Sequence, residues 1–348
     1  MARQANPRTG QWVILWGLFF LICFSLGYPT LNRYDPRVAL TDSAQYYKLV
    51  TGSPQDAVGH WRYRVLVPYL ARPFYWLARG RVGTWNPVFF GLLVVNAALC
   101  AMSACFLVLL GHKVFSDYAV ALLGALLYLL NFSVANEQLA GLVDSGEGCF
   151  ILALIWAIYN GQWLLLPVLG VLGALTKETF VPLSFVLAVG WWLTTLRHGV
   201  SGPRWAFWVI TMGFTGLATV IVLQSMVSGY VVWPWKVVFT EKSHVNFLSG
   251  LVGCILDQSF WYVFMWLLPL GVWRLGYLPR AWVFASVTTA IVALILGAWN
   301  GAGGNVARAL FNATGPVLSL SAAALIAPTK LTVITINELF SRSCSGQP

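Results

Sequence analysis

The chain has 348 residues, 59% of them hydrophobic and only 9% charged. A soluble protein of this size carries roughly a quarter charged residues, so a soluble globular enzyme is excluded and an integral membrane protein is expected. The formal net charge of +10 would point to nucleic acid in a soluble chain. Here the Lys and Arg residues lie between apolar runs, where they orient spans and meet anionic headgroups or phosphates, and no nucleic-acid partner is expected.

The apolar runs are continuous rather than alternating, which favours helices over a barrel. The expected fold is all-α, a single polytopic transmembrane domain over 1–348 with about ten spans. Arg3 and Arg8 precede the first apolar run as in a signal peptide, but no small-x-small cleavage site follows, so residues 12–28 are read as a retained first span. A first water-facing loop, 29–87, comes next. Within it, 62–78 (RYRVLVPYLARPFYWLA) is apolar but short and carries Pro68, Arg72 and Pro73. Internal prolines break helical hydrogen bonds and a mid-membrane charge is costly, so this piece is read as an interfacial helix. The further spans are placed at 88–110, 119–135, 145–160, 163–175, 179–196, 206–228, 259–273, 281–298 and 309–327. A second large outer loop, 229–258, and a tail, 328–348, complete the reading.

If 62–78 does not cross, one side of the membrane collects Arg3, Arg8, Lys113, Arg197, Arg204, Arg274, Arg280, Lys330 and Arg342. Outside 29–81, the other side holds Lys177, Lys236, Lys242 and Arg308. The positive-inside rule then puts the N-terminus in the cytoplasm. The acidic residues follow a topology built without them. Asp35, Asp42, Asp56, Glu137, Asp144, Glu147, Glu178, Glu241 and Asp257 fall on the outer side, and Asp117 and Glu338 on the inner. This bias points to an outward-facing polar site, although avoidance of basic loops by acids produces part of the same pattern.

The residues able to carry chemistry are few. Asp42 opens TDSAQYYKLV, with Tyr46 one helical turn on. It reads either as a helix cap or as a carboxylate that takes a proton from an acceptor hydroxyl. His60, Arg62 and Arg64 precede the interfacial helix; arginine forks match phosphate oxygens, and headgroup anchoring is the plainer alternative. Asp144 and Glu147 share a helix face near Glu137, and carboxylates at a membrane boundary are functional candidates, with N-capping by Asp144 as the rival. Thr176-Lys177-Glu178-Thr179 forms a tight hairpin, either a solvated turn or a cavity wall with Lys177 toward a phosphate. Arg308 follows GAGGNVA, which lacks the Lys-Ser/Thr ending of a phosphate loop. The six cysteines are scattered, and His112, His198 and His244 have no partner at ligand spacing, so no metal site and no cofactor is expected. The sequons at Asn131 and Asn312 lie in or at the edge of spans and are set aside.

The D-x-x-x-Y of Asp42–Tyr46, RYRVLVP at 62–68, TKET at 176–179, the cytoplasmic N-terminus and the interfacial helix together resemble the GT-C superfamily of membrane glycosyltransferases. The resemblance implies an enzyme of the bacterial plasma membrane that moves a sugar from a polyprenyl-phosphate donor to a glycan, lipid or protein acceptor at the outer face. It maps the first-loop acid onto Asp42. The paired acid of better-known branches is missing, because Ser43 follows Asp42. Divalent metal serves some branches of that superfamily. The residues fit this chemistry independently: Arg62, Arg64, Lys177 and Arg308 are cations for a departing phosphate, and Asp42 is a base. A polysaccharide polymerase or ligase, a lipid-linked sugar flippase or transporter, and a non-catalytic membrane subunit remain alternatives.

Overall fold

The computed structural model describes residues 9–33, 41–81, 83, 85–196, 203–233, 246–300 and 305–326. Every regular element among them is helical: α1 Thr9–Arg33, α2 Thr41–Thr51, α3 Leu66–Ala78, α4 Pro87–Phe115, α5 Tyr118–Leu129, α6 Asp144–Tyr159, α7 Leu165–Thr176 and α8 Phe180–Leu196. The second half adds α9 Pro203–Ser228, α10 Phe247–Leu256, α11 Gln258–Phe264, α12 Leu267–Val272, α13 Arg280–Asn300 and α14 Asn305–Ile326.

The expected ten spans are not formed. Five helices are long and apolar enough to cross a membrane, namely Gly10–Tyr28, Pro87–Phe115, Trp205–Ser228, Arg280–Trp299 and Val306–Ile326. A sixth is reached if α10 and α11, bent by 51° against each other, count as one broken span. These helices make the chain a multi-pass membrane protein. The regions expected to cross at 119–135, 145–160, 163–175 and 179–196 form helices of 12, 16, 12 and 17 residues. At 1.5 Å per residue, 12 residues rise about 18 Å, well short of a hydrocarbon core of about 30 Å. The run at 259–273 is divided between α11 and α12 at Met265–Trp266.

The helix ends follow from local chemistry. Asn86 caps α4, accepting from the Val88 N–H at 2.9 Å, with Pro87 at the first helical position where its missing N–H costs nothing. Ser116 ends α4 in the left-handed conformation (φ 54°), and Asp117 at once caps α5 through Ala119 and Val120 N–H groups. The result is a tight hairpin that lays α5 back along α4. Helices α4 and α14 are largely buried, while α9 turns Phe207, Ile210, Phe214, Val222 and Met226 outward at helical spacing. A stripe of that size is untenable in water and natural against lipid.

Helix α3 has 13 residues, too few to cross. Its exposed Tyr69, Leu70, Trp76 and Leu77 share the helix with Arg72, which lies over the Tyr69 ring at 4.0 Å. Its inner face meets α4 at Gly91, where an added Cβ would stand 2.6 Å from the Ala71 carbonyl oxygen. Arg72, which argued against a crossing, has a structural task. Its guanidinium donates to the Leu49 and Gly52 carbonyls at 2.9 and 2.5 Å. It thereby ties off the C-terminal end of α2 and fixes the helix that carries Asp42 and Tyr46.

Several expectations fall outside the described residues: Arg3, Arg8 and Asp35; Arg197 and His198; Lys236, Glu241, Lys242 and His244 of the second outer loop; Gly301, Gly303 and Gly304; and the tail with Lys330, Glu338 and Arg342.

Candidate functional site

The charged residues scattered through the sequence converge at one end of the helices. The opposite end carries the Asp117 turn and Lys113, which donates to the Asn160 side chain. The convergence begins with α6 and α7. Gly146 lies against Thr176, where an added Cβ would stand 2.5 Å from the threonine methyl. Glycine there lets the start of α6 approach the end of α7, which brings two α6 carboxylates to the α7–α8 turn. Lys177 Nζ donates to Asp144 Oδ1 at 2.6 Å and Glu147 Oε2 at 3.1 Å. Glu147 also accepts from Thr179 Oγ1 at 2.5 Å and from Asn312 Nδ2 at 3.0 Å. Asn312 accepts in turn from Gln138 Nε2 at 3.0 Å. Glu147 is fully buried, and Lys177, Thr179 and Asn312 give its carboxyl group hydrogen-bond partners in place of water.

A second cation joins from α14. Arg308 Nη1 donates to Asp144 Oδ2 at 3.0 Å, and its Nη2 reaches Asp42 Oδ2 at 3.4 Å. Asp42 is more open than the two α6 carboxylates, with its side chain 21% exposed against 3% for Asp144 and 0% for Glu147. A third cation, Arg64, forms a fork on Glu178: Nε donates to Oε2 at 2.9 Å and Nη2 donates to Oε1. Its Nη1 donates to Tyr46 Oη at 3.0 Å. Burial raises the Glu178 carboxyl, but the Arg64 charge and hydrogen bonds outweigh it and hold it down at about 2. Burial pushes the Tyr46 phenol up to about 12, so it stays neutral. Burial opposes the charge on Lys177, and Asp144 and Glu147 overcome it, leaving the ammonium above its ordinary range.

The sequence-derived set thus divides. Asp42, Tyr46, Arg64, Asp144, Lys177, Glu178 and Arg308 are brought together. Arg62 is not: it lies over the Tyr63 ring at 4.8 Å and donates to Tyr63 Oη and Ser228 Oγ, pinning the first loop to the end of α9. His60 packs on Trp61 and acts electrostatically on Glu178. Lys177, whose hairpin reads either as a solvated turn or as a cavity wall toward a phosphate, is enclosed by Asp144 and Glu147. Asp144 is not a cap for α6, since the cap position is Val143 and no side-chain capping bond forms. Asn312, Thr179 and Gln138 complete the network and were missed. Asn312 lies one turn beyond Arg308, so its spacing was the signal available.

Glu137 sits in a π-helical turn, Val134–Gln138, of a kind often found at functional positions. It is buried and accepts from Ser133 Oγ at 2.5 Å. Among the described residues no lysine or arginine pairs with it within 4.0 Å, although Arg308, Asp144 and Lys177 act on it electrostatically. Burial, the largest influence, lifts its carboxyl from 4.5 to about 7. The folded state therefore takes up a proton between those values that the unfolded chain has released. Glu137 favours the fold below about 4.5, and that advantage is lost as pH rises to about 7. Glu178 acts with the opposite sign in a separate window: its stabilisation is present above 4.5 and lost as pH falls through about 2. Melting of purified protein across pH 5 to 8 tests the Glu137 effect. Glu137→Gln should flatten the decline, and an unchanged slope would show that other groups set it.

Arg64 yields a second test. Arg64→Ala strands Glu178 and Tyr46, and breaking a buried pair in this way costs on the order of 3–5 kcal/mol. Melting temperature should fall sharply, and any activity on two substrates should fall equally for both. Selective loss of affinity for one substrate at unchanged melting would make Arg64 a ligand contact instead.

Four carboxylates (Asp42, Asp144, Glu147, Glu178) face three cations (Arg64, Lys177, Arg308) in these pairs. An anion entering the site therefore meets no surplus cation and has to displace a carboxylate. Among the described residues no three His, Cys, Asp or Glu side chains gather in a way that holds a metal ion. Comparison of the chain with protein-family models, characterised proteins and solved structures returns no match.

Proposed function

We propose that the protein is a membrane glycosyltransferase that moves a sugar from a polyprenyl-phosphate donor to an acceptor hydroxyl at the outer face of a bacterial plasma membrane. The observation that carries this reading is the Asp42–Arg308–Asp144 arrangement. A partly open carboxylate lies beside an arginine that is itself seated on a buried acid, at one end of a bundle of apolar helices. Such a reaction needs a base for the acceptor oxygen and a cation for the phosphate that departs. Asp42 supplies the first, and Arg308 is the nearest source of the second. Arg64, Glu178 and Tyr46 hold α2 in place, and Lys177 with Glu147 secures the floor beneath Arg308. The acceptor is a glycan, a lipid or a protein side chain, and a polymerase or ligase acting on the same class of donor uses the same parts.

A second reading rests on the 51° bend between α10 and α11. Broken helices and buried ion pairs also occur in transporters, which makes a flippase for lipid-linked sugar the competing function. Purified protein in vesicles, given polyprenyl-phosphate sugars labelled in the sugar, separates the two. Appearance of label on an acceptor with release of polyprenyl phosphate supports transfer. Movement of intact labelled lipid between leaflets without bond cleavage overturns it.

A further inference from the structure

The three cations of the site are not equally available. Arg64 is spent on a two-pronged bond to Glu178 and a third bond to Tyr46. Lys177 is enclosed by Asp144 and Glu147 at 2.6 and 3.1 Å. Arg308 has one firm partner, Asp144 at 3.0 Å, and one weak partner, Asp42 at 3.4 Å. The weak partner is also open to solvent, its side chain 21% exposed, whereas Glu178, at 19%, is held by a firm fork from Arg64. A long, partly exposed contact of this kind contributes little, and an arginine–phosphate fork replaces it readily.

We propose that Arg308 is the cation handed from Asp42 to the phosphate of the donor, so that the Asp42–Arg308 contact is a latch that phosphate binding opens. The inference rests on the transferase reading and adds an order of events to it. The phosphate takes the Nη2 side of Arg308 while Asp144 keeps Nη1, and Asp42 is released as a free carboxylate. The acceptor O–H gives its proton to Asp42, and the acceptor oxygen bonds to the anomeric carbon. The bond from that carbon to the phosphate oxygen breaks, and the electron pair leaves with the polyprenyl phosphate. Asp42 becomes neutral as the phosphate gains a negative charge beside Arg308, so the total charge of the site is conserved through the step. This also explains how an anion enters a site whose carboxylates outnumber its cations.

The latch makes an unusual demand: a variant that cannot turn over should bind the lipid phosphate more tightly. The probe is polyprenyl monophosphate, titrated into purified protein in lipid nanodiscs and read by native mass spectrometry, with phosphatidic acid as the comparison. Asp42→Asn should bind polyprenyl monophosphate about two- to fivefold more tightly than wild type, because its competitor for Arg308 is gone. Arg308→Gln should bind at least about tenfold more weakly. In the double variant, Asn at 42 should give no gain over Arg308→Gln alone. Arg308→Lys, which keeps the charge on Asp144, guards against loss of fold: with wild-type melting it should still bind more weakly than wild type. Unchanged affinity in Asp42→Asn, or full affinity in both Arg308 variants, overturns the latch. Equal Arg308-dependent binding of phosphatidic acid overturns the donor lipid as its key. Sugar transfer by wild type with no tightening in Asp42→Asn leaves the transferase reading standing without the latch. Tightening with no transfer on any acceptor leaves the latch as a lipid-phosphate site and removes the transferase.

Discussion

Replacing Lys177 by methionine should destabilise the protein by on the order of 3–5 kcal/mol, the cost of leaving buried carboxylates without their partner. Lys177 Nζ lies between Asp144 and Glu147, and all three residues are buried. Without it, Asp144 retains Arg308, but among the described residues Glu147 keeps only the neutral donors Thr179 and Asn312. The loss extends beyond one pair, because Glu147 joins the start of α6 to the α7–α8 turn and to α14. Thermal melting of detergent-purified protein, followed by loss of the monodisperse peak in size exclusion, measures the effect. Lys48→Met, on the exposed side of α2, should stay within about 0.5 kcal/mol of wild type. Adding Glu147→Gln to Lys177→Met should recover part of the loss by removing the stranded charge. A Lys177→Met protein that melts with the wild type would mean that the two carboxylates are not held as charges by this lysine.

The same residues mark where sequence reasoning reaches its limit. That a charge in this apolar chain needs a partner is legible from composition, which is why Asp42, Arg64, Asp144, Lys177, Glu178 and Arg308 could be singled out. Which charge meets which was not legible. Lys177 and Glu178 read as one neighbour pair, yet Lys177 has extended backbone (φ −162°, ψ 132°), and successive side chains on extended backbone point to opposite sides. One therefore turns to α6 and the other to Arg64. Arg62 and Arg64 read as equals around Tyr63, and the 3₁₀ turn at Gly59–Tyr63 sends only Arg64 inward. Span counting failed for a related reason. Hydropathy runs on past Leu129, but Asn131 Oδ1 accepts from the Ser133 N–H and its amide donates to the Val263 carbonyl, ending α5 in a turn. Apolar content locates membrane segments well, and helix continuity depends on such single polar side chains.

Asp42→Asn should lower sugar transfer by about 10²- to 10⁴-fold, the range for removing a general base, while leaving the fold nearly untouched. Both halves follow from the position of Asp42. Its one ion pair among the described residues is long and partly open, so that pair's contribution to stability is at most about 1 kcal/mol. Its rival role is to support the first turn of α2. A carboxylate there is favoured by the helix dipole, and asparagine caps helix starts about as well as aspartate. The substitution therefore removes the proton acceptor and spares most of any capping effect. Asp144→Asn is the contrast: it weakens the seats of both Lys177 and Arg308, so it should lower melting and activity together. Initial rates with a labelled polyprenyl-phosphate sugar, beside melting curves for both variants, decide the matter. Near-normal transfer by a well-folded Asp42→Asn protein would remove Asp42 from the reaction. Loss of transfer that tracks loss of melting would return it to capping. Only a dead enzyme that melts with the wild type leaves the carboxylate itself as the part that was lost.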